Sequence, residues 1–119
     1  MSDDLILYHN PRCSKSRAAL DLLQARGLAP RIVRYLETPP TAAELERLLG
    51  RLGLDDPRAL MRRGEAEYAE LALTAPERTR AELLEAMAAH PRLIERPILV
   101  RGERAVVARP PERVAELLD

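Results

Sequence analysis

Tryptophan and phenylalanine are both missing from this chain of 119 residues, and its aromatic complement is three tyrosines, Tyr8, Tyr35 and Tyr68. So few rings leave little for stacking nucleic-acid bases. A formal net charge of zero supplies no overall field to recruit a polyanion. Lysine is almost absent as well: Lys15 stands alone beside the arginines, a bias that reflects composition and does not by itself single Lys15 out. No apolar run approaches the ~20 residues of a membrane span. The start, Met1-Ser2-Asp3-Asp4, is acidic, and Leu5 to Tyr8 is too short for a signal sequence. The one cysteine cannot form an internal disulfide, and with two distant histidines it gives no metal-ligand spacing. A cytoplasmic, reducing location with no metal, no bound cofactor, no membrane and no nucleic-acid partner is expected.

What is present suffices for one folded domain over residues 1–119. Hydrophobic residues make up 46%, and a chain this long can bury about two-thirds of its unfolded surface. Leu5-Ile6-Leu7-Tyr8, ending at Asn10-Pro11, reads as a buried strand. A helix is predicted over 14–26, with Ala19, Leu22, Leu23 and Arg26 on one face and Gly27 just past its end. Ile32 to Leu36 reads as the next strand, so the first third forms a βαβ unit with parallel strands. Thr41 with Glu44 and Thr79 with Glu82 are capping boxes that open helices; Asp56-Pro57 opens a short turn between them. Pro97 to Val100 and Ala105 to Val107 flank a turn at Arg101-Gly102-Glu103, a hairpin. Pro110-Pro111 then starts a last helix carrying Val114, Leu117 and Leu118. The expected architecture is α/β: a mixed four-stranded sheet built from βαβ and then ββα, with a helical insertion at about 41–92.

Cys13 lies in Tyr8-His9-Asn10-Pro11-Arg12-Cys13-Ser14-Lys15-Ser16-Arg17, at a strand–helix junction. A lone cysteine is ordinarily a small inert hydrophobe. Here its surroundings are cationic, and Lys15 and Arg17 occupy a first helical turn where positive charge opposes the macrodipole. Such a breach of a local rule often marks a functional site. An ordinary thiol is only about 3% ionised at pH 7, and converting it mostly to thiolate takes about 2.7 kcal/mol. A helix terminus contributes about 0.3–1 kcal/mol, so nearby cations must supply the rest.

Taken together, Tyr8 to Cys13 with Ser16-Arg17, Tyr35-Leu36-Glu37-Thr38-Pro39-Pro40, Ala59-Leu60-Met61-Arg62, His90-Pro91, Glu95-Arg96-Pro97-Ile98 and Ala108-Arg109-Pro110 closely resemble the glutaredoxin-dependent arsenate reductases, the ArsC family, of thioredoxin-like fold. The resemblance implies that Cys13 attacks arsenate, that Arg62, Arg96 and Arg109 bind the oxyanion, and that His9 tunes the cysteine. It makes Asn10, Arg12, Ser16, Arg17 and Pro97 the supporting loop, with Pro97 after a cis peptide. Glutathione would be co-substrate and glutaredoxin the protein partner. The charge logic agrees, since a thiolate approaching a dianion needs positive charge, and arginine's planar fork suits a tetrahedral oxyanion. The plainer alternatives are a solvated surface role for each arginine (Arg63 being the example), a structural role for His9, and a helix-terminal role for His90.

Four other readings compete with this one. Phosphatase-like arsenate reductases separate cysteine and arginine by five residues, but position 19 is Ala19, and their additional cysteines are missing. A dithiol thioredoxin needs Cys-x-x-Cys, whereas the fourth position is Ser16. A glutathione-dependent thiol reductase that does not act on arsenate, or an Spx-like regulator that binds RNA polymerase, remains as an alternative.

Overall fold

Strand β1 (Leu5–Tyr8) pairs on both sides, parallel to β2 (Arg31–Val33) and antiparallel to β3 (Ile98–Arg101). Its apolar run has Leu7 buried and Leu5, Ile6 and Tyr8 half-buried. β3 pairs in turn with β4 (Arg104–Val107), so the sheet runs β2-β1-β3-β4. Gly102, at φ 60°, supplies the left-handed position that a two-residue hairpin loop requires. This is the thioredoxin-like α/β arrangement, seen in a computed structural model that describes residues 4–118. The acidic start Met1-Ser2-Asp3 lies outside the described residues, as does Asp119.

The described chain divides into two compact units, Met1–Thr38 with Arg96–Asp119, and Pro39–Glu95. The first holds the sheet. Helix α1 (Ser14–Ala25) lays Ala19 and Leu23 on a core of Leu7, Leu99, Val106, Ala108, Val114 and Leu117. Its buried face is Ser16, Ala19 and Leu23; Leu22 is only half-buried and Arg26 is exposed, beyond the last helical residue. Gly27 ends the helix at φ 76°, freeing Leu28 N–H to donate to Leu23 O at 3.0 Å.

Two elements differ from expectation. β2 stops at Val33, and residues 35–37 turn instead of continuing the strand. The pairing partner has run out: β1 ends at Tyr8, and the last rung is His9 N–H to Val33 O at 2.9 Å. Arg34 O then accepts from Glu37 and Thr38 N–H, both at 2.9 Å, which closes the turn. The last helix, Pro111–Leu117, is 3₁₀ and not α. Its buried residues, Pro111, Val114 and Leu117, fall every third position, which is the period of a 3₁₀ helix. Arg101 Nη1 and Arg104 Nη2 donate to the carbonyls of Leu117 and Glu116 at 2.6 and 2.8 Å, satisfying its C-terminal end.

The second unit is helical. α2 (Ala42–Leu52) and α4 (Arg80–Ala89) both open with complete capping boxes, Thr41 with Glu44 and Thr79 with Glu82. A short 3₁₀ turn at Pro57–Leu60 precedes α3 (Ala66–Glu70), and another at Pro91–Leu93 follows α4. Leu45, Leu48 and Leu49 of α2, with Leu83, Leu84 and Met87 of α4, are buried. Arg80 crosses between these helices, its Nε and Nη2 at 2.8 and 2.5 Å from Glu46.

The corrected face of α1 is testable. Leu23→Ala should cost about 2–5 kcal/mol of stability, and Leu22→Ala distinctly less, as read by urea denaturation. Equal losses would place the buried stripe elsewhere.

Candidate functional site

The turn between β1 and α1 is built by short local contacts. Arg12 N–H donates to Asn10 Oδ1 at 3.0 Å, and Cys13 N–H to Asn10 O at 2.9 Å, so Asn10 folds the loop back on itself. Arg17 reaches back from the first turn of α1, and its Nη1 donates to Pro11 O at 2.9 Å. The unfavourable cation therefore has structural work at the loop. Arg12 and Lys15 are exposed.

Cys13 occupies the N-cap position of α1 with extended backbone (φ −94°, ψ 123°), and 9% of it is exposed. No side-chain cap of ordinary hydrogen-bond geometry closes the helix; the N–H groups of Ser16 and Lys15 act on the sulfur instead. Burial alone would push the Cys13 thiol up. The Ser16 N–H, the Arg96 guanidinium (by hydrogen bond and by charge) and the Lys15 N–H outweigh it, and the thiol is held below its ordinary value. Arg96 is half-buried, with its Nε and Nη1 withdrawn from solvent.

Ser16 ties the loop together. Its buried hydroxyl lies 2.6 Å from His9 Nδ1 and accepts from Asn10 N–H at 3.0 Å. His9 thus touches Ser16, whose backbone N–H faces the sulfur. Burial lowers the His9 pKa, and the charges of Arg34 and Arg17 add to the effect, so the neutral ring is favoured. Arg34 is a neighbour that the sequence pattern did not reveal. With Leu36 and Glu37 it faces His9, Asn10, Pro11 and Arg12 across a cleft of about 260 Å³.

The remaining predicted residues are placed as follows. The Arg96–Pro97 and Arg109–Pro110 peptides are both cis. Arg109 is exposed and its Nη1 donates to Arg96 O at 3.2 Å, which joins the two Arg-Pro loops of the first unit. Arg62 belongs to the second unit and is half-buried, with Nη1 2.7 Å from Glu65 Oε2 and Nε 4.0 Å from Glu95 Oε1; Arg63 beside it is exposed. His90 ends α4 as its C-cap residue. Among the described residues no group of three or more His, Cys, Asp or Glu side chains could hold a metal ion, and no helix is long and apolar enough to cross a membrane. Chemically, the first unit presents a thiol of lowered pKa beside a guanidinium, suited to attack on an electrophilic centre that carries negative charge.

The family model described as "ArsC family" matches residues 8–117. An arsenate reductase of Neisseria meningitidis serogroup A is 46% identical over 115 residues, covering 97% of this chain and 98% of that protein. Escherichia coli YfgD, an uncharacterized protein, is 47% identical over 118 residues, covering 99% of each. The solved structure of an arsenate reductase from Vibrio cholerae superposes with a TM-score of 0.94 at 48% identity, covering 98% of both chains.

Titrating Cys13 by iodoacetamide alkylation should place its pKa below that of an ordinary thiol, about 8.5, with Arg96→Ala moving it upward. A wild-type value at or above the ordinary one would remove the activated thiol. The same shift predicts a stability profile. A thiolate favoured by folding stabilises fully above the unfolded thiol's pKa, and this contribution is lost as pH falls through the folded value; the lowered His9 adds a loss of the same sign at lower pH.

Proposed function

Because the chain belongs to the ArsC family, we propose that it is an oxidoreductase that reduces arsenate to arsenite, with Cys13 as nucleophile, glutathione as co-substrate and glutaredoxin as the resolving partner. The observation that carries this reading is the chain's single cysteine, whose thiol is held below its ordinary pKa, against burial, by the Ser16 N–H, Arg96 and the Lys15 N–H. Taking As(V) to As(III) requires two electrons, which two thiols provide by becoming a disulfide. Cys13 is one of them. Ser16 stands where a dithiol partner would be, so the second thiol comes from another molecule.

In this mechanism the Cys13 sulfur forms a bond to arsenic, and one arsenate oxygen leaves as water. The glutathione sulfur then joins the Cys13 sulfur, the sulfur–arsenic bond breaks, and its electron pair stays on arsenic, which becomes As(III). Cys13 is left in a mixed disulfide with glutathione. A glutaredoxin thiolate attacks the glutathione sulfur and returns Cys13 as thiolate. Arg96 serves twice, stabilising the thiolate and then the charge that grows on the oxyanion. Arg109 and Arg62 complete the oxyanion ligands on the family pattern. His9 acts through Ser16 as a positioning residue, and Asn10, Arg12, Arg17 and Pro97 shape the loop. The reading takes residues 1–119 as one working domain with an insertion at about 41–92, in the reducing cytoplasm where glutathione is abundant.

NADPH oxidation coupled through glutathione reductase should require arsenate, glutathione and glutaredoxin together. Cys13→Ser should abolish it. Arg96→Ala should lower turnover about 10²–10³-fold, with lysine at that position rescuing only partly. Mass spectrometry after one turnover without glutaredoxin should find glutathione on Cys13. Full multiple turnover with thioredoxin and its reductase, without glutathione, would overturn the mechanism. Reduction of glutathione mixed disulfides without any response to arsenate would mark a thiol reductase instead.

A further inference from the structure

We propose that the cleft between the cysteine loop and the end of β2 binds glutathione, with Arg34 and Glu37 holding its γ-glutamyl head and Arg12 its glycine carboxylate. The inference rests on the reading of glutathione as co-substrate and gives that molecule a place of its own.

The cleft lies wholly within the first unit. One wall is the loop over 9–12, which leads directly into Cys13; the other carries Arg34, Leu36 and Glu37. Backbone contacts set both walls. His9 N–H donates to Val33 O at 2.9 Å, tying the loop to the end of β2, and Arg34 O accepts from Glu37 and Thr38 N–H. Asn10 Oδ1 holds Arg12 N–H at 3.0 Å. Walls closed in this way need little reordering when a ligand enters, which lowers the cost of binding.

The charges in the cleft select the ligand. Glutathione at neutral pH carries two carboxylates and one ammonium, with the ammonium and one carboxylate on the same carbon. The cleft presents the complementary set: two guanidiniums, Arg12 and Arg34, and one carboxylate, Glu37. Arg34 Nη1 lies 3.6 Å from Glu37 Oε2 and both side chains are largely exposed, so the pair offers a cation and an anion side by side to an amino-acid head. His9 adds no charge, since burial and the guanidiniums of Arg34 and Arg17 lower its pKa and leave the ring neutral. Leu36, 39% exposed, gives the peptide's methylenes an apolar surface. Arsenate suits this set poorly, because Glu37 repels a dianion and offsets part of the Arg34 charge. The sheet order separates the two reactants: β3 follows Arg96 on one side of β1, and β2 leads to Arg34 on the other.

The test is an NMR titration of the protein with S-methylglutathione, which cannot form a disulfide. The backbone amides of Asn10, Arg12, Leu36 and Glu37 should shift together and saturate. Arg34→Gln should raise the dissociation constant about fivefold, the upper range for one exposed charge pair. Arg34→Lys should recover part of it, keeping the charge without the fork. S-methylcysteinylglycine, which lacks the γ-glutamyl head, should bind wild type and Arg34→Gln alike. In single turnovers with arsenate and no glutaredoxin, Arg34→Gln should raise the half-saturating glutathione concentration for Cys13 glutathionylation by the same factor. The half-saturating arsenate concentration should stay within about twofold of wild type. Cleft amides that stay still while those of Arg96 or Arg109 shift would overturn the assignment, as would an unchanged dissociation constant in Arg34→Gln. Equal weakening of both analogues would reduce Arg34 to a general attraction for anions and overturn its role at the head. Saturable shifts in the cleft without any arsenate-dependent reaction would instead overturn the arsenate reading and leave the glutathione site standing.

Discussion

At 9% exposure, burial works against ionising the Cys13 thiol, and the helix N-terminus and Arg96 outweigh it. The helix supplies N–H donors at its N-terminus, which no carboxylate or hydroxyl side chain occupies, since Cys13 itself takes the cap position. Arg96, at the entrance to β3, adds a full positive charge from a neighbouring strand. The sheet order matters here because β1 and β3 are adjacent. The end of β1 leads into the cysteine and the start of β3 follows the arginine, so pairing these strands also pairs the charges.

Features decided within a few residues were legible in the sequence. Both capping boxes formed, Gly27 took its left-handed position, and the Gly102 turn closed its hairpin. Each depends on side-chain chemistry at fixed spacing, which needs no knowledge of the rest of the chain. The cationic cysteine loop was legible for the same reason. Features decided by a distant partner were not. β2 ends where β1 leaves it without a ladder, a length that no propensity in Arg34-Tyr35-Leu36 encodes. The final helix took the 3₁₀ form because the surface beneath it accepts a residue every three positions, a period read only once Pro111 counts as apolar packing.

The arginines show the same limit. Read singly, each looks like a solvated surface residue. In the fold many donate to backbone carbonyls that loops leave without partners: Arg58 to Leu73 and Ala75, Arg78 to Leu71, Arg101 to Leu117, Arg17 to Pro11. A guanidinium presents five donors in a rigid fork, so it can satisfy two carbonyls at once, as Arg58 does at 2.6 and 2.7 Å. In a chain with one lysine, arginine has become the mortar of the loops as well as the charge beside the Cys13 sulfur. Sequence pattern cannot sort these roles, since both call for the same side chain. Geometry sorts them by whether the fork meets a carbonyl, a carboxylate or a sulfur.

The hydroxyl of Ser16 carries an implication for how such chemistry changes over time. One oxygen meets the imidazole of His9 at 2.6 Å and the amide of Asn10 at 3.0 Å. A thiol there would be larger, a weak hydrogen-bonding partner, and too bulky for those separations. Gaining a second cysteine at the position that suits dithiol chemistry would therefore loosen the loop that holds the first one. The one-thiol and two-thiol designs are one codon apart, yet in this fold the exchange would disturb the two contacts of the Ser16 hydroxyl. The serine is thus part of the frame of the loop as well as a substitute for a second sulfur.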